Sequence, residues 1–182
     1  NIPVKQSTKS PYSYDENMWG NTAEGGEIED PKLSPNYSQI LQWSNTPEQA
    51  PNTAEKVTIS FEKGVPKAVN GSSQDLAQII AQLNKLGALH GVGTTTLVED
   101  RLIGLKVRGV YENPGATILI AAHKKLEQLV STREENQFKE VVDSKWAYML
   151  YAALWYEPTM HHLNAYIDSQ NSKVTGEVTV QL

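Results

Sequence analysis

Apolar and polar residues alternate over 57–61, where Val57, Ile59 and Phe61 fall on one side. A period of two marks a half-buried strand. Glu62-Lys63-Gly64 and then Val65-Pro66-Lys67-Ala68-Val69 follow, so this stretch is predicted to be a β-hairpin with its turn near 62–64, closed by Asn70-Gly71. The period then changes. Leu76, Ile79, Ile80, Leu83 and Leu86 recur at helical spacing and predict an amphipathic helix over about 73–87. Ser72-x-x-Asp75 reads as its capping box and Gly87 as its stop. Residues 91–112 read as strands again. Pro114-Gly115 opens a second helix to about 131, with Ile118, Leu119, Leu126 and Leu129 as its apolar face. A third helix, about 134–156, carries Trp146, Met149, Leu150, Ala153 and Leu154 as a wide stripe predicted to be buried, and Pro158 ends it. A short fourth helix covers about 159–169, and 174–182 is a final strand. Strands and helices are segregated rather than alternating. The predicted class is therefore α+β: antiparallel strands and hairpins packed with about four helices.

Residues 1–56 break this periodicity. They are rich in Pro, Asn, Ser and Asp and read as long loops with short elements, ending in the linker-like TPEQAPNTAEK at 46–56. The expected organisation is a loop-rich segment, 1–56, and an α+β core, 57–182, together one domain. PYSYDENMWGNTAEGGEIEDP, within the first segment, is too aromatic and too specific for a disordered tail. Its start reads as a capped helical turn, with Ser13 as N-cap and Glu16 completing the box.

Composition narrows the classes of function. The chain has 182 residues, 39% hydrophobic and 20% charged, enough for a core without staples. The net charge of −5, with only Arg101, Arg108 and Arg133 as arginines, argues against a nucleic-acid surface. No cysteine is present, so thiolate metal sites and disulfides are excluded. No apolar run approaches the roughly 18 residues of a membrane span. Asn1-Ile-Pro-Val reads like mid-chain sequence, and the chain is expected to be a fragment of a longer protein.

Among candidate sites, adjacent His161-His162 cannot share one helical face and read as surface or interfacial residues; no metal site is expected. His90 and His123 read as structural. Glu24-Gly25-Gly26-Glu27 lacks the Lys-Ser/Thr of a phosphate loop. Two stretches carry more chemistry. One is Ser13-Tyr-Asp-Glu-Asn-Met-Trp-Gly20-Asn-Thr22, whose hydroxyls can converge only if the chain turns, a freedom Gly20 offers. The other is VEDRLIGLKVRGVYENPG, 98–115, which crowds Glu99, Asp100, Arg101, Lys106, Arg108, Tyr111 and Glu112 around an alternating apolar run. Gly104 and Gly109 permit the bends that would bring Glu99 to Tyr111. A solvated hairpin accounts for these charges, and so does a site for a polar, zwitterionic ligand.

KSPYSYDENMWG…EGGEIEDP, APNTAEKVTISFEKGVP, LHGVGTTTLVEDRLIGLKVRGVYENPGATIL and VTGEV, in this order and spacing, together resemble argininosuccinate synthase, in the part after its nucleotide-binding domain. The resemblance implies an enzyme that joins citrulline to aspartate with ATP, giving argininosuccinate, AMP and pyrophosphate in arginine biosynthesis. It also implies a cytoplasmic homotetramer. ATP and Mg would be held mainly by the family's amino-terminal domain, whose Ser-Gly-Gly-x-Asp-Thr-Ser loop has no counterpart here; aspartate too would be met through that domain. By resemblance Ser13, Thr22, Glu99 and Tyr111 fall on citrulline-binding positions, and no residue is assigned as catalytic. Thr94-Thr95-Thr96 stands where the family commonly has Arg-Ile-Asp, Val107 where Ser is usual, Asn113 where Thr is common, and Thr22 where Ser is frequent. The alternative is a non-catalytic substrate-binding and assembly module, silent on its own.

Overall fold

The computed structural model describes residue 7 and residues 10–182. Residues 1–6, 8 and 9, which belong to the expected loop-rich segment, lie outside the described residues. The chain divides into two compact units. The first comprises Asn1–Glu55, Ala77–Leu119 and Gln181–Leu182; the second comprises Lys56–Leu76 and Ile120–Val180. The fold is α+β, as the segregation of periods predicts.

The first unit is built on a four-stranded antiparallel sheet: β1 (Ser13–Asn17), β2 (Gly20–Glu24), β6 (Thr94–Asp100) and β7 (Lys106–Glu112), in the order β1-β2-β7-β6. Tyr14 and Ala23 face each other across β1 and β2, and Ala23 faces Val110 across β2 and β7. This row joins Tyr12, Ile28 and Ile40 in one apolar cluster. Ser13–Glu16 is thus a strand and not the capped helical turn read from the local motif. The alternation Tyr12, Tyr14 inward and Ser13, Asp15 outward pairs the segment with β2, and no helical cap can form. The short helix α1 (Tyr37–Ile40) and a 3-10 turn (Gly26–Glu29) complete the cluster.

Helix α2 (Leu76–Leu89) runs two residues past Gly87. Gly87 is not its stop: a Cβ there would stand 2.8 Å from Cβ of Pro114 and 3.0 Å from Cδ1 of Ile118. Glycine is required for the close approach of helix α3 (Pro114–Val130), and the chain turns only at Gly91, with φ +67°. Ser72-Ser73 makes a short strand, β5, against Ala68 and Val69, so Ser72 lies in a strand four residues before the helix begins at Leu76.

In the second unit β3 (Lys56–Glu62), β4 (Val65–Val69), β5 and β8 (Gly176–Gln181) form a sheet in the order β5-β4-β3-β8. The predicted hairpin is present, and its turn residues Lys63 and Gly64 both have positive φ, 50° and 78°. That is the geometry favoured between twisted strands. Helices α4 (Arg133–Tyr151) and α5 (Pro158–Asn171) follow α3. Helix α4 stops five residues short of the predicted 156, at a turn where Ala153 has φ +57°, and Pro158 begins α5 rather than ending α4. The apolar stripe is only partly buried. Met149 is enclosed, but Leu154, Trp155 and Tyr156 are exposed, because they lie in the turn beyond the helix end.

Candidate functional site

The sheet of the first unit has two unlike faces. Ala23 and Val110 lie on the packed face, so period two sends their strand neighbours to the other. One row of that other face runs Asp15, Thr22, Tyr111 and Thr95, each directly opposite the next across β1, β2, β7 and β6. Opposed residues stand about 4.5–5.5 Å apart at Cα. Ser13 pairs with Glu24, one row along on the same face. Glu99 pairs with Val107, four residues from Tyr111 and of the same parity. All four residues singled out in the sequence, Ser13, Thr22, Glu99 and Tyr111, therefore share one open sheet face. The turn that lets Ser13 approach Thr22 is Met18-Trp19, between paired Asn17 and Gly20. Gly20 serves another purpose: a Cβ there would strike Asn113 Oδ1 at 1.8 Å, so glycine admits β2 to the end of β7.

Glu99 lies about 13 Å along the strands from the Tyr111 row, at 3.3 Å per residue. The gap is bridged because β7 has a glycine at 109. The Tyr111 ring leans back over it, and a Cβ on Gly109 would meet Cε2 at 3.0 Å and Cζ and Oη at 3.3 Å. The phenol is thereby brought beside the Glu99 carboxylate. Burial of the ring, and the neighbouring Glu99 carboxylate both as acceptor and as a charge, push the Tyr111 phenol up to about 12. It is a neutral donor at any physiological pH.

Besides Asp15, two more charged groups lie on the face. Arg101, at the start of the hairpin turn, places Nε 3.4 Å from Glu99 Oε1 and pairs through Nη2 with Glu24 Oε1. Each of these three side chains is 27–36% exposed. Glu24, Arg101 and Glu99 together carry one net negative charge on a partly desolvated surface, with hydroxyls of Thr22, Thr95 and Tyr111 in the adjoining row. Such a face suits a small polar molecule with a cationic end.

The other charges of 98–115 are sorted away from it. Glu112 is 2% exposed on the packed face. Its Oε1 accepts from Asn21 Nδ2 and Gln42 N, both at 2.9 Å, and its Oε2 from Trp43 N and Ser44 N, both at 2.8 Å. Arg108 donates to the carbonyls of Glu27, Ile28, Asp30 and Leu33. These two side chains fasten the 26–44 excursion to the sheet. Lys106 and Asp100 pair at 2.5 Å in solvent, a contact that contributes little. The crowding seen in the sequence is thus two sets of charges interleaved by the pleat.

Glu24, Asp15 and Thr95 on the site face were not singled out in the sequence. The signal for Glu24 was present, since Thr22 and Glu24 share a strand parity. It was hidden by reading Glu24-Gly25-Gly26-Glu27 as a glycine-rich loop and Ser13–Glu16 as helical. Gly25 and Gly26 have φ +99° and +57°, and a Cβ on Gly25 would lie 2.7 Å from the Pro11 carbonyl. They let the chain turn against Pro11 and Tyr12 and do not cradle a phosphate. His90 pairs with Glu55 at 3.3 Å, and His161 and His162 are exposed. Among the described residues no group of His, Asp or Glu could hold a metal ion, and no helix is long and apolar enough to cross a membrane.

The sheet carries one packed face and one open polar face, and comparison with known proteins gives the family. Residues 12–182 match the arginosuccinate synthase C-terminal domain. The whole chain aligns with argininosuccinate synthases: 46% identical to that of Archaeoglobus fulgidus, 47% to that of Lachnospira eligens and 46% to that of Pyrococcus furiosus. The chain belongs to the arginosuccinate synthase C-terminal domain family. It spans 46%, 44% and 43% of the length of these three relatives.

Proposed function

We propose that this chain is the citrulline-binding part of an argininosuccinate synthase, a cytoplasmic ligase of arginine biosynthesis. The enzyme joins citrulline to aspartate and converts ATP to AMP and pyrophosphate. The observation that carries the reading is the shared face of Ser13, Thr22, Glu99 and Tyr111. Citrulline has an α-ammonium, an α-carboxylate and a neutral ureido group. The Glu99 carboxylate accepts from the ammonium in a charge-assisted bond. Hydroxyls of Ser13, Thr22 and Tyr111 serve the remaining polar atoms as donors or acceptors. Tyr111 stands beside Glu99 as a neutral donor. The chain's role is binding and orientation, which lowers the entropic cost of bringing two reactants together.

ATP and aspartate are substrates in this reading. The Gly25-Gly26 turn is filled by Pro11 and Tyr12 and flanked by Glu24 and Glu27, so this turn does not fit a triphosphate with Mg, and no step through the nucleotide is assigned to it. On its own this chain makes no argininosuccinate and gives no saturable heat with Mg-ATP in calorimetry.

Glu99→Gln tests the reading, in a longer protein that carries this domain together with an ATP-binding domain of the family. Hydrogen bonds to charged groups are worth roughly 1.5–3 kcal/mol, so citrulline affinity should fall about 10- to 150-fold. The constant for ATP and the thermal melt should be unchanged. A citrulline constant within about twofold of the parent would make Glu99 a solvated hairpin residue and end the proposal.

A further inference from the structure

Glu24 faces the same surface as Glu99, and Arg101 lies between them. The guanidinium gives Nη2 to Glu24 in a hydrogen bond, and its Nε stands 3.4 Å from Glu99. Two parallel N–H···O bonds to one carboxylate are the strongest arrangement for such a pair. Of the two carboxylates, Glu24 has the closer contact with the guanidinium. The Tyr111 phenol stands beside the same carboxylate as Arg101 Nε, that of Glu99, as a neutral donor.

We propose that Glu24 is a positioning residue that holds Arg101 off Glu99 and so keeps the Glu99 carboxylate free for a ligand ammonium. The proposal rests on the reading of this face as the citrulline site. Without the charge of Glu24, Arg101 swings into a two-bond pair with Glu99 and competes with the ligand. The trio's net charge also changes from −1 to 0, so its pull on a cation is lost. Both effects act in one direction, and both are reversed by removing Arg101. Glu24 and Arg101 thus form an antagonistic pair, and each is needed only because the other is present.

The test is second-site suppression in the longer protein carrying this domain. Citrulline binding and the Michaelis constants for citrulline and ATP are measured for the parent, Glu24→Gln, Arg101→Gln, the double variant and Glu99→Gln. Glu24→Gln is expected to weaken citrulline about tenfold, with the ATP constant and kcat little changed. The double Glu24→Gln/Arg101→Gln variant is expected to recover most of that loss. A purely structural Glu24 would lower the melting temperature and gain nothing from the second change. Glu24→Asp keeps the charge on a shorter arm; it should fold and lose less affinity than Glu24→Gln. Glu99→Gln losing citrulline while Glu24→Gln does not, or a double variant no better than the single, would overturn the proposal. A Glu99→Gln variant that binds citrulline like the parent would instead overturn the reading of the face itself, and this inference with it.

Discussion

The Tyr111 ring lies across Gly109, two residues back on the same strand, at a spacing that leaves a Cβ only 3.0–3.3 Å from the ring. Gly109 thereby sets where the Tyr111 hydroxyl stands on the open face. Gly109→Ala should lift the ring and carry the hydroxyl away from the proposed ligand, losing one neutral hydrogen bond to it. A neutral bond is worth about 0.5–1.5 kcal/mol, so citrulline affinity should fall about 2- to 13-fold in the longer protein. Stability should change little, since alanine suits a strand better than glycine does. Unchanged affinity would mean that the hydroxyl does not need this path.

The Tyr111 phenol should titrate at about 12. The fold favours its neutral form, so the stability it contributes is complete below the ordinary value of 10.0 and is lost as pH climbs through about 12. Ultraviolet difference absorbance, with Tyr111→Phe as the blank, should locate that midpoint. In Glu99→Gln it should move down toward the ordinary value, though not fully, because burial is the larger cause. An unmoved midpoint would dissociate the two side chains.

Glu112 holds the 42–44 loop by three backbone bonds, and Asn21 by a fourth, to one buried carboxylate. Glu112→Gln turns an acceptor pair of lone electrons into an N–H₂ facing other N–H groups. Buried donors left unmatched cost about 2 kcal/mol or more. In a chain of this size that lowers Tm by about 4–8 °C. A differential scan that shows no drop would mean the loop re-bonds elsewhere.

His123, in the second unit, packs edge-on against Phe61 at 5.8 Å between ring centroids. Burial lowers its pKa, with Lys139 acting the same way against Glu127, Asn171 and Asp143. The neutral ring is the folded form. Its contribution is therefore present above the ordinary value of 6.5 and lost as pH falls below it. Melts at neutral and mildly acid pH should show a larger fall for the parent than for His123→Gln. Equal falls would remove His123 from the acid sensitivity.

Tyr151, Leu154, Trp155 and Tyr156 stand 39–91% exposed around the end of α4. Such a cluster is expected to be covered by a second copy of the chain, as the tetramer implied by the family resemblance would require. Sedimentation should show concentration-dependent association that Trp155→Glu weakens. A strict monomer at high concentration would refute it.

The elements legible in the sequence were those whose causes are local. The 56–69 hairpin follows from period two and from Lys63-Gly64, which take positive φ between twisted strands. The start of α3 follows from a proline that needs no N–H partner in a first turn. The four proposed ligand-binding residues were reached by resemblance, and alternation already separates Glu99 and Tyr111 from Asp100, Arg108 and Glu112. What the sequence left open was long-range. Ser13–Glu16 satisfies a helix-cap motif, yet it is a strand because β2 lies beside it and β7 beyond, bringing Thr22 to Tyr111, 89 residues away. Gly87 and Gly20 look like a stop and a hinge, yet each is a point of close approach to a partner far along the chain. The pairing of Glu24 with Arg101 depends on the same register. Periodicity and turn chemistry act over a few residues and can be read from them; register and close packing are energies of meeting between distant segments, and only the assembled sheet decides them.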